Sequence, residues 1–470
     1  MLFSSPLFLF LFLPFSLLLY YLTPKKFKNT FLLLASLFFY TWGERELVIL
    51  ILLSTFVDYS CGIIISNGKR KTGLFLSILF NTGILAYFKY SNFVLTNFIE
   101  FLSLFSVEVE TATYFSNIVL PLGISFYTFQ TMSYTIDVYL RKVKATRNFI
   151  NFATYVTFFP QLIAGPIVRY KIIENQLVSR NTTTKQFSEG VERFIIGLSK
   201  KMIIANNCAF LADNIFSLHN SDLSAYLAWI GVIAYGFQIY FDFSGYSDMA
   251  IGLGKMFGFD FPENFNYPYI SQSIREFWRR WHITLSNWFK DYVYISLGGN
   301  RKGVKITYIN LLVVFFITGL WHGANWTFIA WGLFHGFFII VERIGFDKIL
   351  EKLPKVISHL YLLLVVSISW VFFRSENITD ALNYIQSMFS FNLTTNLDFM
   401  KFLISKEIMF VLILATVFST PVYKRFDSLM SFLNPKTFAG FKMFALMTLL
   451  VICFFYVATD AYNPFIYFRF

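Results

Sequence analysis

A histidine in almost uncharged sequence is the first residue equipped to do chemistry. His322 lies between Trp321 and Gly323, and the apolar runs on either side, 306–320 and 327–341, contain no Asp, Glu, Lys or Arg. An imidazole in a membrane-spanning run is costly unless it faces the protein interior or a water-filled cavity, so such residues usually mark functional sites. Histidine also has the pKa that suits a general base near neutral pH. His322 is therefore a candidate catalytic base, with a buried structural histidine as the alternative.

A charged and tryptophan-rich segment, 275–303, comes just before the His322 run. It is too polar to span a membrane, but its aromatic residues suit a membrane interface or a re-entrant segment lined by protein. His282 within it is a second candidate catalytic residue, with an interfacial anchor as an equal alternative. Four basic side chains are candidates to bind phosphate groups, unless 298–303 is a simple glycine turn: Arg279, Arg280, Lys290 and Arg301.

Two carboxylates follow the apolar run at 226–241. Asp242 and Asp248 are six residues apart, and we expect them at the end of a membrane span. They are either functional acids or carboxylates hydrogen-bonded to backbone groups or arginine in a packed turn, because intramembrane acids usually find partners. The sequence leaves both interpretations open.

The remaining motifs indicate neither a metal nor a bound cofactor. His335 follows His322 by 13 residues, about 20 Å along a continuous helix, so the two share a site only if the helix breaks. No HxxxH spacing occurs, which disfavours zinc, and neither a GxSxG elbow nor a Walker lysine is found. Three cysteines lie in apolar sequence without paired spacing and are expected to be buried thiols: Cys61, Cys208 and Cys453.

Composition places the chain among polytopic membrane proteins. Of its 470 residues 56% are hydrophobic and 14% charged, whereas soluble domains carry about 25% charged residues. The net charge of +12 does not indicate nucleic-acid binding, because basic loops at 25–28, 69–71 and 141–147 alternate with mixed or acidic loops at 44–46 and 100–110. Basic loops remain on the cytoplasmic side, so the N-terminus is predicted to lie outside.

The hydropathy pattern predicts an all-α integral membrane protein, a polytopic bundle in one domain over 1–470 that contacts membrane lipid. The run at 2–22 lacks a basic start and a small-residue cleavage site, so it is interpreted as a span rather than a signal peptide. A re-entrant run is predicted at 93–105, and a break at 158–166 because of two prolines. An amphipathic segment is predicted at 191–210, and further apolar helices are predicted at 31–42, 47–65, 74–89, 119–140, 226–241, 306–320, 327–341, 361–373, 402–418 and 441–457.

Several stretches together resemble the membrane-bound O-acyltransferase family, and within it the bacterial polysaccharide O-acetyltransferases typified by alginate O-acetylases. The resemblance extends from about residue 120 to the C-terminus, and the first hundred residues agree only in hydropathy. The matching motifs are FPQLIAGP at 159–166, YFDFSGYSD at 240–248, EFWRRWHITLS at 276–286, GGNR at 298–301 and GLWHG at 319–323.

The resemblance implies a bundle of roughly a dozen helices with re-entrant segments, in the bacterial cytoplasmic membrane. It further implies that an acetyl group moves from cytoplasmic acetyl-coenzyme A to an extracytoplasmic polysaccharide, with a periplasmic SGNH-hydrolase-like acetyltransferase as partner. His322 matches the family's membrane-buried catalytic histidine. His282 lies where eukaryotic members often carry Asn or Asp. The basic residues of the 275–303 segment, Arg279, Arg280, Lys290 and Arg301, would then bind the phosphates of coenzyme A.

Two other functions stay open at this point. D-alanyl transfer to teichoic acid would use the same fold and histidine, and only the donor and partner would differ. A transporter or flippase could also contain broken helices, but transporters commonly show paired internal repeats. We find no such repeat in the sequence, which makes the transporter the weaker alternative.

Overall fold

The computed structural model describes residues 1–106, 118–219, 221–391, 397–422, 434–459, 462–464 and 466. Every regular element in these ranges is a helix, which confirms the predicted all-α class. The N-terminal half contains α1 Leu13–Leu22, α2 Lys28–Glu44, α3 Val48–Ser66, α4 Arg70–Leu85, α5 Ser91–Ser103, α6 Ile124–Tyr139, α7 Phe149–Thr157, α8 Phe159–Leu162, α9 Tyr170–Val178, α10 Thr184–Ser199 and α11 Asn206–Phe216. The C-terminal half contains α12 Ala225–Met256, α13 Ile274–Arg280, α14 Ile283–Phe289, α15 Val304–His322, α16 Trp326–Val341, α17 Asp347–Lys352, α18 Lys355–Arg374, α19 Ile378–Met388, α20 Leu397–Leu403, α21 Lys406–Phe418 and α22 Pro435–Ala458.

The described residues form a multi-pass membrane protein. Their long apolar helices expose Phe and Leu outwards, as a lipid-facing surface requires. Part of the acidic loop predicted at 100–110 lies outside the described residues. Seven helical stretches are long and apolar enough to cross a membrane: Lys25–Ser66, Arg70–Ser103, Thr184–Phe216, Val304–His322, Trp326–Lys352, Lys355–Arg374 and Pro435–Ala458.

The segment predicted as a separate re-entrant run at 93–105 is instead a continuation of α4. A π-helical turn, Ala86–Tyr90, joins α4 to α5 without a break, and together they form one stretch of 34 residues. The prediction also put Lys89 at the end of a span, whereas its side chain is buried in the protein. A wider π turn lets neighbouring residues face the same side, and such turns are frequent at functional sites.

Helix α12 is much longer than the span predicted at 226–241. It runs for 32 residues, so Asp242 and Asp248 lie within the helix rather than in a turn at its end. The helix continues because both carboxylates are neutralised inside the bundle by cations of the preceding helical stretch. Lys201 lies 2.8 Å from Asp242, and Lys200 lies 2.6 Å from Asp248.

The predicted break at 158–166 is confirmed. Helix α7 ends at Thr157, and Pro160 lies in the first turn of the four-residue α8. The whole break is buried. At membrane depth, backbone groups that lack a partner within a helix must bind other groups of the protein. The Phe159 amide, for example, donates to Ser36 Oγ at 3.1 Å.

Candidate functional site

Helices α15 and α16 form a hairpin that places His322 at its turn. His322 is the last residue of α15, and Gly323 is extended, which ends the helix. Asn325 then caps α16 by accepting from the Thr327 amide at 3.1 Å. The two helices approach closely because Gly332 faces α15, where a Cβ atom would lie 2.3 Å from the Phe315 carbonyl oxygen.

The imidazole of His322 is enclosed by aromatic rings. Its side chain is only 4% exposed, and its ring centroid lies 4.9 Å from those of Trp321 and Trp331 and 5.2 Å from that of Phe373. The planes of all three rings are nearly perpendicular to the imidazole, at interplanar angles of 72–86°, and together they fix its orientation. Such surroundings exclude bulk water and hold the imidazole in one orientation.

The C-terminal carbonyls of α15 are bound by the π turn of the α4–α5 stretch. Lys89 Nζ donates to the Trp321 carbonyl and, at 3.2 Å, to Ser125 Oγ, while Tyr90 Oη donates to the Leu320 carbonyl at 2.7 Å. A cation at a helix C-terminus is stabilising because the helix dipole is negative there. Lys89 was not among the candidate site residues predicted from the sequence. A lysine inside an apolar run was the signal that could have identified it.

His282 lies beside the same tryptophan. Its side chain is fully buried, its ring is 6.0 Å from Trp321 and 4.6 Å from Phe243, and its backbone has a φ of 41°. A left-handed conformation is uncommon for a histidine and often marks a functional site. The structure therefore brings both candidate histidines against the same ring, that of Trp321.

Asn264 determines the tautomer of His282. Its Oδ1 accepts from the Thr284 amide at 3.3 Å and Oγ1 at 2.8 Å, and its Nδ2 donates to Ser247 Oγ at 3.1 Å, which fixes the amide orientation. Oδ1 also lies 3.0 Å from His282 Nδ1, so Nδ1 must carry the hydrogen. The lone pair is then on Nε2, which has no hydrogen-bond partner among the described residues.

The charge of His282 follows from its burial. The turn between α13 and α14 lies outside the spanning helices, and desolvation lowers the pKa of His282 to about 3. The imidazole is therefore neutral at physiological pH. A neutral imidazole with a bare Nε2 is a hydrogen-bond acceptor and a proton acceptor.

A cavity of about 290 Å³ leads along α15 towards His322. The lining residues from α15 recur every three or four positions, and the same helical face continues to His322, one turn beyond Thr318. Other walls of the cavity are apolar, including Leu285 and Phe289 of α14. The α15 lining consists of Leu311, Val314, Phe315 and Thr318.

Basic side chains surround the mouth of this cavity, which we call the donor cavity. Of the four cations selected from the sequence, Arg279 and Lys290 line it, together with Arg275 and Arg343. The other two lie elsewhere. Arg280 pairs with Glu276 at 2.9 Å, and Arg301 is exposed and absent from the cavity lining.

His335 is nearer to His322 than a continuous helix allows. The break at Gly323 folds α16 back along α15, so Trp331 packs against His322 at 4.9 Å and against His335 at 5.1 Å. His335 Nδ1 accepts from Trp278 Nε1 at 3.3 Å, so it supports a wall of the donor cavity. Among the described residues, no three His, Cys, Asp or Glu side chains gather as a metal site requires.

Comparison with a family model identifies the region that carries this site. The model described as MBOAT, membrane-bound O-acyltransferase family, matches residues 90–349. These residues include both histidines, the α15–α16 turn, Lys89's neighbour Tyr90 and the whole mouth of the donor cavity. The match therefore coincides with the site rather than with hydropathy alone.

Similar proteins extend over most of the chain. It is 46% identical over 422 residues to the probable alginate O-acetylase of Azotobacter vinelandii, covering 89% of this chain and 84% of that protein. It is 39% identical over 432 residues to the peptidoglycan O-acetyltransferase of Helicobacter pylori, covering 83% and 80% respectively. It is 32% identical over 231 residues to the teichoic acid D-alanyltransferase of Bacillus subtilis, covering 47% of this chain and 58% of that protein.

Proposed function

Since the chain belongs to the membrane-bound O-acyltransferase family and is an acyltransferase, we propose that it O-acetylates an extracytoplasmic polysaccharide, with acetyl-coenzyme A as donor. The relatives named O-acetylase or O-acetyltransferase cover more than four fifths of the chain, whereas the D-alanyltransferase covers less than half. This difference favours acetyl over D-alanyl transfer. The observation that carries the proposal is the buried His322 beyond the inner end of a cavity with a basic mouth.

The donor cavity suits a coenzyme A thioester in both polarity and shape. Arg279, Lys290 and Arg343 at the mouth would bind phosphate oxygens, and the apolar walls would accept the uncharged arm that carries the thioester. Because the lining ends near Thr318, the acetyl group would arrive about one helical turn from His322.

His322 acts as the general base in this mechanism. It takes the proton from the acceptor hydroxyl as the oxygen attacks the thioester carbonyl, and the thiolate of coenzyme A leaves when the tetrahedral intermediate collapses. His322 then donates this proton to the thiolate, so coenzyme A leaves as the free thiol. The unprotonated Nε2 of His282 accepts a hydrogen bond from a substrate N–H or O–H group and so orients that group in the site. Asn264 holds the tautomer that leaves Nε2 unprotonated.

The acceptor side follows from the length of α15. His322 ends a helix of 19 residues, about 28 Å long, whose first residue follows the basic loop at 301–302. In a cytoplasmic membrane with that loop inside, His322 lies past the midplane and the acceptor approaches from outside. We propose a periplasmic SGNH-hydrolase-like acetyltransferase as the partner that passes the acetyl group to the polymer.

The test compares acetate on surface polysaccharides in a deletion strain complemented with different variants. His322→Gln retains the side-chain size and is expected to lower ester-linked acetate by roughly 100-fold or more, the usual contribution of a general base. His219→Ala is the matched control, because His219 is an exposed histidine outside the site. Mass spectrometry of each isolated polymer measures acetate and identifies the acceptor.

Protein abundance in the membrane must be measured beside acetate. Wild-type acetate in the His322→Gln strain would refute the assigned base. Loss of D-alanine from teichoic acid, with all acetate retained, would replace acetyl transfer by D-alanyl transfer.

A further inference from the structure

A second and larger cavity lies where the ends of helices α3, α4 and α6 meet. Its volume is about 1010 Å³, and it forms between the end of α3 at Ser66, the start of α4 at Arg70 and the end of α6 at Tyr139. We call it the basic cavity. It shares no lining residue with the donor cavity.

The basic cavity concentrates positive charge. One carboxylate, Glu174, belongs to its lining, and a second, Asp137, lies 3.7 Å from Lys142 Nζ. No ion pair involves the other four cations of the lining within the part of the chain that the structure describes. The five basic lining residues are Arg70, Arg141, Lys142, Lys144 and Arg147.

Three partly buried cations elsewhere in the bundle are paired instead. Arg193, Lys255 and Arg374 each lie 2.6–2.7 Å from a carboxylate. Like charges in one concave site repel each other, and the low-dielectric walls concentrate their field. The basic cavity therefore has the electrostatics of a site whose anion comes from another molecule.

We propose that the basic cavity binds the phosphate headgroup of an anionic membrane lipid. The cavity lies between the ends of two candidate membrane spans, Lys25–Ser66 and Arg70–Ser103, which is the depth of lipid headgroups. Its loops are those that the positive-inside rule puts on the cytoplasmic side. Just beyond Arg70, α4 presents Phe75 and Leu79 with exposed fractions of 63% and 55%. Acyl chains of the same lipid would pack on such a face.

A wall of paired side chains separates this site from the donor cavity. Tyr292 Oη donates to Asp137 at 2.8 Å, and the Tyr292 ring lies 5.0 Å from the guanidinium of Arg169. Arg169 in turn pairs with Asp291 at 2.6 Å. A phosphate in the basic cavity is therefore on the far side of this wall from the donor cavity, which favours a lipid over coenzyme A.

The proposal is tested by lipid retention on the purified full-length protein. Detergent-solubilised protein is incubated with mixed phosphatidylglycerol and phosphatidylcholine, and bound lipid is counted by native mass spectrometry. The double variant Lys144→Glu, Arg147→Glu should bind phosphatidylglycerol at least about tenfold more weakly, since each cation near an anionic surface contributes about 1 kcal/mol. The control double variant Lys352→Glu, Lys355→Glu removes the same charge from exposed positions outside the cavity.

Each outcome decides for or against the site. Selective loss of phosphatidylglycerol in the first variant, with wild-type binding in the control, supports it. Equal retention by both variants overturns it. Coenzyme A and inorganic phosphate are added as competitors at concentrations too low to fill the donor cavity. If either displaces phosphatidylglycerol, the ligand of the basic cavity is a soluble phosphate and the lipid proposal is overturned.

Discussion

Two regions of the bundle bury ionisable side chains, and they stabilise them in opposite ways. On α12, Asp242 lies 2.8 Å from Lys201, and Asp248 lies 2.6 Å from both Arg193 and Lys200. Each carboxylate is matched by at least one cation. These ion pairs join α12 to the helical stretch that precedes it, so the charge is used to fix helix positions.

Around the end of α15 the titratable groups are surrounded by rings instead of opposite charges. Trp321, Trp331 and Phe373 enclose His322, and His282 has a neutral amide partner in Asn264. Burial without an opposite charge lowers the pKa of His282 and keeps its imidazole neutral, which is the form that accepts a hydrogen bond at Nε2. Pairing therefore distinguishes the acids of α12 from the two histidines near the end of α15, for which we propose a chemical role.

The largest effect on folding is expected from breaking the pair on α12. Asp242→Ala leaves Lys201 charged in the core, and removing one partner of a buried ion pair costs about 3–5 kcal/mol. The Ile466 amide also loses its acceptor, 3.0 Å away. We expect little folded protein in the membrane, measured by fluorescence-detected size-exclusion chromatography of a tagged chain.

Two further variants separate a structural role from a chemical one. His322→Gln should retain wild-type abundance while acetylation is lost. Asp242→Leu combined with Lys201→Met should recover part of the folded protein, because an apolar pair of similar volume replaces the ion pair. Normal abundance of Asp242→Ala would show that the pair on α12 is not structural.

The sequence predicted which groups are buried better than it predicted their partners. His322 and the proline break at 158–166 were identified because each conflicts locally with its apolar surroundings. The end of α12 was predicted wrongly, because the cations that allow Asp242 to stay in a helix come from another helix. Lys89 was missed as a partner of α15 because its contact with Trp321 spans 232 residues.

Spacing along the chain likewise gave an incomplete view of the site. The predicted distance between His335 and His322 assumed one continuous helix. The helix instead ends at His322, and the turn at Gly323 brings the two histidines closer together. Arg279 and Arg280 were indistinguishable as neighbours, but helical rotation directs one to the donor cavity and the other to Glu276. Asn264 carries no sequence signal of its own, since its role depends on contacts with two separate segments, Ser247 on α12 and 282–284.

A moderate effect is expected from changing the neutral partner of His282 into a charged one. Asn264→Asp places a carboxylate at 3.0 Å from Nδ1, and an opposite charge raises a histidine pKa by about 1–3 units. The pKa of His282 would rise from about 3 towards about 4–6. Nε2 then gains a proton as the pH falls through that range, so acetyl transfer should drop up to about tenfold at pH 5.

Acetyl transfer by protein in liposomes, measured from about pH 5 to 8, gives the profile. The wild-type protein is the control, because a pKa of about 3 leaves His282 neutral throughout that interval. Identical profiles for the two proteins would mean that protonation of His282 does not affect the reaction.

The smallest effect is expected at the exposed mouth of the donor cavity, where solvent screens the charges that burial strengthens elsewhere. Arg279→Glu should raise the KM for acetyl-coenzyme A about fivefold and leave kcat nearly unchanged, since an exposed ion pair contributes up to about 1 kcal/mol. Arg301→Glu makes the same charge change outside the cavity lining and serves as the matched control. The rise in KM for Arg279→Glu should also shrink at high salt, because screening weakens attraction between exposed charges. Equal KM values for the two variants would remove Arg279 from donor binding, and the basic mouth would then attract the donor only through its overall charge.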